Sequence, residues 1–133
     1  MKLVALIGGG CLLVALGGCA AGSPDAHAAE KAAVDFHRAL DAGDASAACR
    51  FLAPRTVSEL EKRGSGACDE ALGSIGIPQA GDVVSGGVYG LSAQVILGGD
   101  TVFLSLTPSG WLVTAAGCTR VPDQPYDCDV KGD

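Results

Sequence analysis

The chain has 133 residues, enough for one domain, with 9 Lys+Arg against 15 Asp+Glu and a formal net charge of -6. That balance excludes an electrostatic nucleic-acid binder, which needs clustered cations against phosphate. Six cysteines and 48% hydrophobic residues exclude a disordered tail. With two histidines and 5% aromatic residues there is no multi-histidine metal site and little for bases to stack on.

The first element is a targeting segment. Lys2 is followed by an uncharged, largely apolar run from Leu3 to Leu16. A spanning helix needs about 20 apolar residues, so this run has the length of a signal-peptide core instead. Gly8, Gly9 and Gly10 weaken it further as a permanent helix.

The run closes on Leu16-Gly17-Gly18-Cys19. This resembles the lipobox of bacterial lipoproteins: an aliphatic residue, two small residues, then the cysteine that receives lipid. The resemblance implies cleavage before Cys19, a thioether-linked diacylglycerol on it with palmitate-type acyl chains, and location at the outer face of the cell membrane. The competing reading is an ordinary secretory signal cut near Ala20 or Ala21. Two acyl chains anchor stably where one does not. The expected organisation is a signal peptide over 1–18, a lipidated tether over 19–25 and one domain over 26–133.

Removing 18 residues from 133 leaves 115, and losing Lys2 takes the charge from -6 to -7. Cys11 leaves with the signal and Cys19 takes the lipid, so Cys49, Cys68, Cys118 and Cys128 remain. Four cysteines in an exported domain favour two disulfides. Three pairings are open; the sequence-local one, Cys49–Cys68 with Cys118–Cys128, is the simplest. No Cys-x-x-Cys spacing occurs, which argues against a metal site and a redox role. No cofactor is expected, and no nucleotide-binding glycine motif is present.

Charge divides the remaining chain. Asp25 to Asp82 holds 16 charged residues, Val83 to Thr119 holds only Asp100, and Arg120 to Asp133 holds six. The first stretch reads as helices. Ser23-Pro24-Asp25 starts one. Ala29, Ala33, Phe36 and Leu40 give it an inward face, and Ala42-Gly43 stops it. Asp44 caps a second, with Ala45, Ala48, Cys49 and Leu52 inward. Pro54 opens a third, with Val57 and Leu60 inward and Glu59/Arg63 paired outside. Gly64 to Gly66 breaks it, before a short helix near Cys68 to Leu72.

From Val83 the period changes. Val83–Tyr89, Leu91–Leu97, Thr101–Thr107 and Trp111–Gly117 read as four strands of an antiparallel meander. Gly98-Gly99-Asp100 and Pro108-Ser109-Gly110 are the turns, and Ser85-Gly86-Gly87 bends or bulges the first strand. Leu91, Ala93, Val95, Leu97, Val102, Leu104 and Leu106 face the helices. The acidic end, with Asp123, Asp127, Asp129 and Asp133, reads as a solvated tail.

The expected fold is therefore α+β: three N-terminal helices on a curved four-stranded antiparallel sheet, with two disulfides. Its outward face is uncharged where a solvated face would usually carry charge. Tyr89, Gln94, Ile96, Phe103 and Ser105 are the candidate ligand or partner face.

Helices followed by an antiparallel sheet, the Phe36-His37-Arg38-Ala39-Leu40-Asp41-Ala42-Gly43-Asp44 stretch and Gly110-Trp111-Leu112-Val113 resemble the nuclear-transport-factor-like superfamily over about residues 26–130. That resemblance implies a cone-shaped fold. Ala115-Ala116-Gly117-Cys118 with Pro125-Tyr126-Asp127-Cys128 looks more narrowly like a group of small actinobacterial lipoproteins. Enzymes of the superfamily, such as ketosteroid isomerase, use a Tyr and an Asp in the cone, and no motif here carries those residues over.

The expected function is a membrane-anchored, non-catalytic interaction module meeting an envelope protein. The alternative is a carrier or sensor of a small apolar ligand in a cone cavity. A third reading is an enzyme. It would use His37 with Asp41, at i,i+4 on the first helix, as a general base, or Tyr89 as a donor. Against these stand two exposed side chains on an acidic helix and a buried Tyr bonded to backbone. His27 reads as solvated and Trp111 as core.

Overall fold

The computed structural model describes residues 24–64 and 66–132. The signal segment, Cys11, Cys19, the Ser23 cap and Asp133 lie outside the described residues.

Four helices precede five strands. The helices are α1 (Pro24–Asp41), α2 (Ala45–Cys49), α3 (Pro54–Gly64) and α4 (Cys68–Ser74). The strands are β1 (Val83–Tyr89), β2 (Ser92–Leu97), β3 (Asp100–Thr107), β4 (Gly110–Thr119) and β5 (Asp127–Lys131). They form one antiparallel sheet in the order β1-β2-β3-β4-β5.

α1 is helical because Ala26, Ala29, Ala33 and Phe36 recur at three- and four-residue spacing and are all buried. It ends where Gly43 adopts a φ of +71°, open to glycine without strain. The Asp44 carboxylate then caps α2 by accepting from Ala47 N at 2.9 Å. α2 stops at Cys49, short of the expected Leu52. The chain has by then reached the sheet, where Leu52 forms a parallel bridge to Val113. Ala53 N donates to Val113 O at 2.8 Å and Val113 N to Phe51 O at 2.7 Å.

In α3 the inward residues are Thr56 and Leu60, with Val57 only half-buried. Thr56 tolerates burial because its hydroxyl donates to Thr114 O at 3.1 Å. Glu59 pairs with Lys62 at 2.8 Å rather than through the Arg63 guanidinium. Arg63 donates instead to the carbonyls of Lys131 and Glu59.

Ala93, Val95, Leu97, Val102 and Leu104 face the helices as their alternation requires. Leu91 and Leu106, expected in the same row, are exposed because they stand one layer beyond the end of the core. The register shifts between Phe103 and Leu104, leaving Thr114 as an extra residue in β4. Inward parity therefore changes from Trp111 and Val113 to Ala116 and Cys118, all buried. β1 shifts register between Val83 and Ser85, beside the glycines that marked a bend.

The fifth strand corrects the expected solvated tail. Asp127–Lys131 pairs with β4, and Val130 is completely buried. Asp127-Cys128-Asp129-Val130-Lys131 alternates polar and apolar as a half-buried strand does, a signal masked by the acidic composition of the segment. The Cys118–Cys128 bridge across directly paired positions selects it. The second bridge, Cys49–Cys68, ties α2 to α4. Both are the sequence-local pairings.

Candidate functional site

The outward sheet face is built by cross-strand rows. Gln94 pairs with Gly87 and Phe103, and Phe103 with Ala115, which pairs with Lys131 at the β5 edge. The next row runs Tyr89, Ser92, Ser105, Leu112, and Ile96 pairs with Ser85 and Thr101. The register thus brings Tyr89, Gln94, Ile96, Phe103 and Ser105 onto one face. Its paired residues carry no charge before Lys131.

This face is partly roofed by Tyr126, from the Pro125-Tyr126-Asp127-Cys128 stretch, a residue that no spacing or periodicity singles out. Gln94 Nε2 donates to the Tyr126 hydroxyl at 3.1 Å. The Phe103 and Tyr126 rings meet edge to face, with centroids 5.2 Å apart and planes at 70°. The Arg120 guanidinium stands 5.9 Å from the Tyr126 centroid. Phe103, Ala115, Pro125, Tyr126 and Lys131 help line a shallow cleft of about 370 Å³. Ile96 and Tyr89 lie outside that cleft. Tyr89 is 70% exposed, not buried against a backbone partner, because it ends an edge strand. Ile96, Phe103 and Ser105 are half-buried.

A second constellation lies on the helix side. His37 is only 3% exposed and Asp100 5%, so neither the expected pairing with Asp41 nor an exposed histidine holds. Asp41 is exposed on the same helix. His37 Nε2 donates to Asp100 Oδ2 at 2.7 Å. The same oxygen accepts from Gly117 N at 3.1 Å, and Oδ1 accepts from Cys118 N at 2.9 Å. Burial pushes the Asp100 carboxyl up. The bonds from His37, Cys118 and Gly117 outweigh that push and hold it below its ordinary range. The pair fastens α1 to the β2–β3 turn and to β4 beside the Cys118–Cys128 bridge.

A carboxylate-oriented imidazole is half of a general-base arrangement. Here the other ring nitrogen, Nδ1, is buried with no hydrogen-bond partner. A cleft of about 250 Å³, walled by His37, Arg38, Asp41, Asp82 and Leu97 among others, runs alongside. The fully buried Nδ1 nonetheless exposes no surface to solvent. The geometry suits a clamp rather than a presented base. Sequence spacing pointed to the wrong carboxylate because Asp100 is 63 residues away. As the only charge between Val83 and Thr119, it was the available signal.

His27 is solvated and its Nδ1 meets Glu30 at 3.3 Å, while Trp111 is in the core. Among the described residues, no three His, Cys, Asp or Glu side chains converge to hold a metal ion. Also among these residues, no helix is long and apolar enough to cross a membrane. Comparison with models of known families, with curated proteins and with solved structures finds no match.

Proposed function

We propose that this chain is a lipid-anchored extracytoplasmic domain of the cell envelope, tethered through Cys19, that acts as a non-catalytic interaction module. The observation that carries the reading is the outward sheet face. Tyr89, Gln94, Ile96, Phe103 and Ser105 form an uncharged surface on an otherwise acidic protein, framed by Tyr126. An uncharged aromatic-bearing face on a rigid sheet suits contact with a protein partner, where aromatics supply most of the binding energy. Two disulfides in the domain agree with an exported location. The nuclear-transport-factor-like cone is retained as part of the same proposal.

Photo-crosslinking from Gln94 and Ser105 in intact cells tests it. A discrete adduct that is lost with Phe103→Asp and absent from Glu61, on an exposed helix face, supports the reading. Equal adducts from all three positions overturn it. Intact mass tests the anchor, since an unmodified Cys19 removes the lipoprotein reading.

The cleft of about 370 Å³ beside Phe103 and Tyr126 favours one second reading, a carrier of small apolar ligands. Titration with an environment-sensitive apolar dye discriminates the two. Saturable binding abolished by Phe103→Asp and Tyr126→Ala supports the carrier, and its absence leaves the protein-partner reading.

A further inference from the structure

Val84, Tyr89 and Leu91 are the most exposed large apolar side chains among the described residues, at 71%, 70% and 69%. All three lie on β1 or its turn into β2, and β1 is an edge strand. From Val83 to Gly99 the chain has no charged residue. An acidic protein therefore keeps one edge apolar and uncharged, where edge strands are normally guarded by charge.

The start of α1 lies beside this edge. His37 is bonded to Asp100, at the Gly98–Gly99 end of the sheet. Seven residues earlier, the Glu30 side chain lies against Gly86 in β1. α1 thus crosses the sheet diagonally from β4 towards β1 as it is followed back to its beginning. Another six residues, about 9 Å of helix, carry α1 back to Pro24 in the direction of Tyr89 and Leu91. Four residues, Ala20 to Ser23, separate Cys19 from Pro24, and the five steps along the chain span at most about 18 Å. A domain held that closely turns the surface around the start of α1 towards whatever holds Cys19.

We infer that the end of the β1 edge, through Tyr89 and Leu91, is a second membrane contact that seats the anchored domain on the lipid surface, while Val84 stands at the far, Gly98–Gly99 end of the same strand. The inference rests on the lipoprotein reading and deepens it by fixing orientation. Apolar side chains that enter the headgroup region add contact area without carrying charge into it. The polar groups that α1 brings nearby, Asp25 and the His27–Glu30 pair, form the rim on the helix side. Tyr89 then belongs to the membrane contact, and the rest of the outward sheet face, with Gln94, Ile96, Phe103 and Ser105, stands beside the membrane, open to an envelope partner.

The test uses the full lipidated protein in phosphatidylcholine vesicles whose acyl chains carry bromine. Leu91→Trp is compared with Val121→Trp, which follows β4 at the end and side away from β1, the buried Trp111 giving both the same background. Quenching about threefold stronger at position 91 is expected, since interfacial side chains sit about 5–10 Å into the headgroup and acyl boundary. In wild-type protein, vesicles should also slow amide exchange at residues 89–92 and leave residues 98–99 unchanged. Equal quenching at both positions with a lipidated Cys19 overturns the seating while the anchor stands. An unmodified Cys19 overturns both. Exchange slowed in proportion to protein density, without quenching, overturns it in favour of a second copy on the β1 edge.

Discussion

Asp100→Asn probes the buried junction that joins α1 to the sheet. The carboxylate satisfies three donors, His37 Nε2, Gly117 N and Cys118 N, with two oxygens. An asparagine has one acceptor oxygen. Placed where Oδ2 stands, it keeps His37 and Gly117 but turns its amide towards Cys118 N, leaving buried donors face to face. One buried donor without a partner costs about 1–3 kcal/mol. The two remaining bonds also lose charge assistance, which roughly halves their strength. Together these give a loss of about 3 kcal/mol, or about 12 °C in Tm for a domain of this size. Thermal unfolding followed by circular dichroism, with the disulfides intact, measures it.

The pH dependence carries a definite sign. The folded Asp100 carboxyl is held below its ordinary value, so its stabilisation is complete above the unfolded value and is lost as pH falls. The gap between wild type and Asp100→Asn should be flat from about pH 5 to 7 and narrow below about pH 4. A loss under about 0.5 kcal/mol, within the range of ordinary surface changes, would mean that the Asp100 carboxylate does not hold α1 to the sheet. So would a gap that stays constant to pH 2.5.

Replacing Cys49 and Cys68 by Ser, or Cys118 and Cys128, should cost about 3 kcal/mol per bridge by loop-closure entropy, read from urea midpoints on folded variants. Midpoints shifted by under a third of that would show that the closed loops are already restrained in the unfolded chain. Gly132→Ala would put a Cβ 2.9 Å from Thr56 N and 2.6 Å from its Oγ1. It should destabilise by about 1–3 kcal/mol and loosen β5 amides in hydrogen exchange; unchanged exchange there counts against close packing of α3 on this strand. Thr56→Val keeps the side-chain shape but loses the bond to Thr114 O, so about 1 kcal/mol should be lost in chemical denaturation. A neutral result would mean that Gly132 N, which donates to the same carbonyl at 3.0 Å, suffices for it.

Helices first and strands second was legible because each half repeats its own period long enough to read. Ala29, Ala33 and Phe36 mark a helix face, and Val95, Leu97, Val102 and Leu104 mark strands. The disulfide partners were legible only as the simplest of three pairings. Alternation grouped Gln94 with Ile96 and Phe103 with Ser105, since side chains two apart in a strand share a side, but joining these rows and Tyr89 into one face took the register between strands.

Other features depended on contacts between distant parts of the chain. Asp127–Lys131 carries the alternation of a strand, but its place in the sheet was set by the edge that β4 offers and by the bridge to Cys118. Thr56, rather than Val57, is fully buried because the β4 bulge presents Thr114 O to its hydroxyl. His37 met Asp100 rather than Asp41 because helix packing, not helix spacing, set which carboxylate it could reach. Tyr126 meets Gln94 and Phe103 because the last loop lies back over the sheet. Periodicity is a local property and survives in one dimension. Where helices end against strands, which polar group satisfies which, and which apolar residues stay uncovered at an edge are properties of packing, decided only when the layers meet.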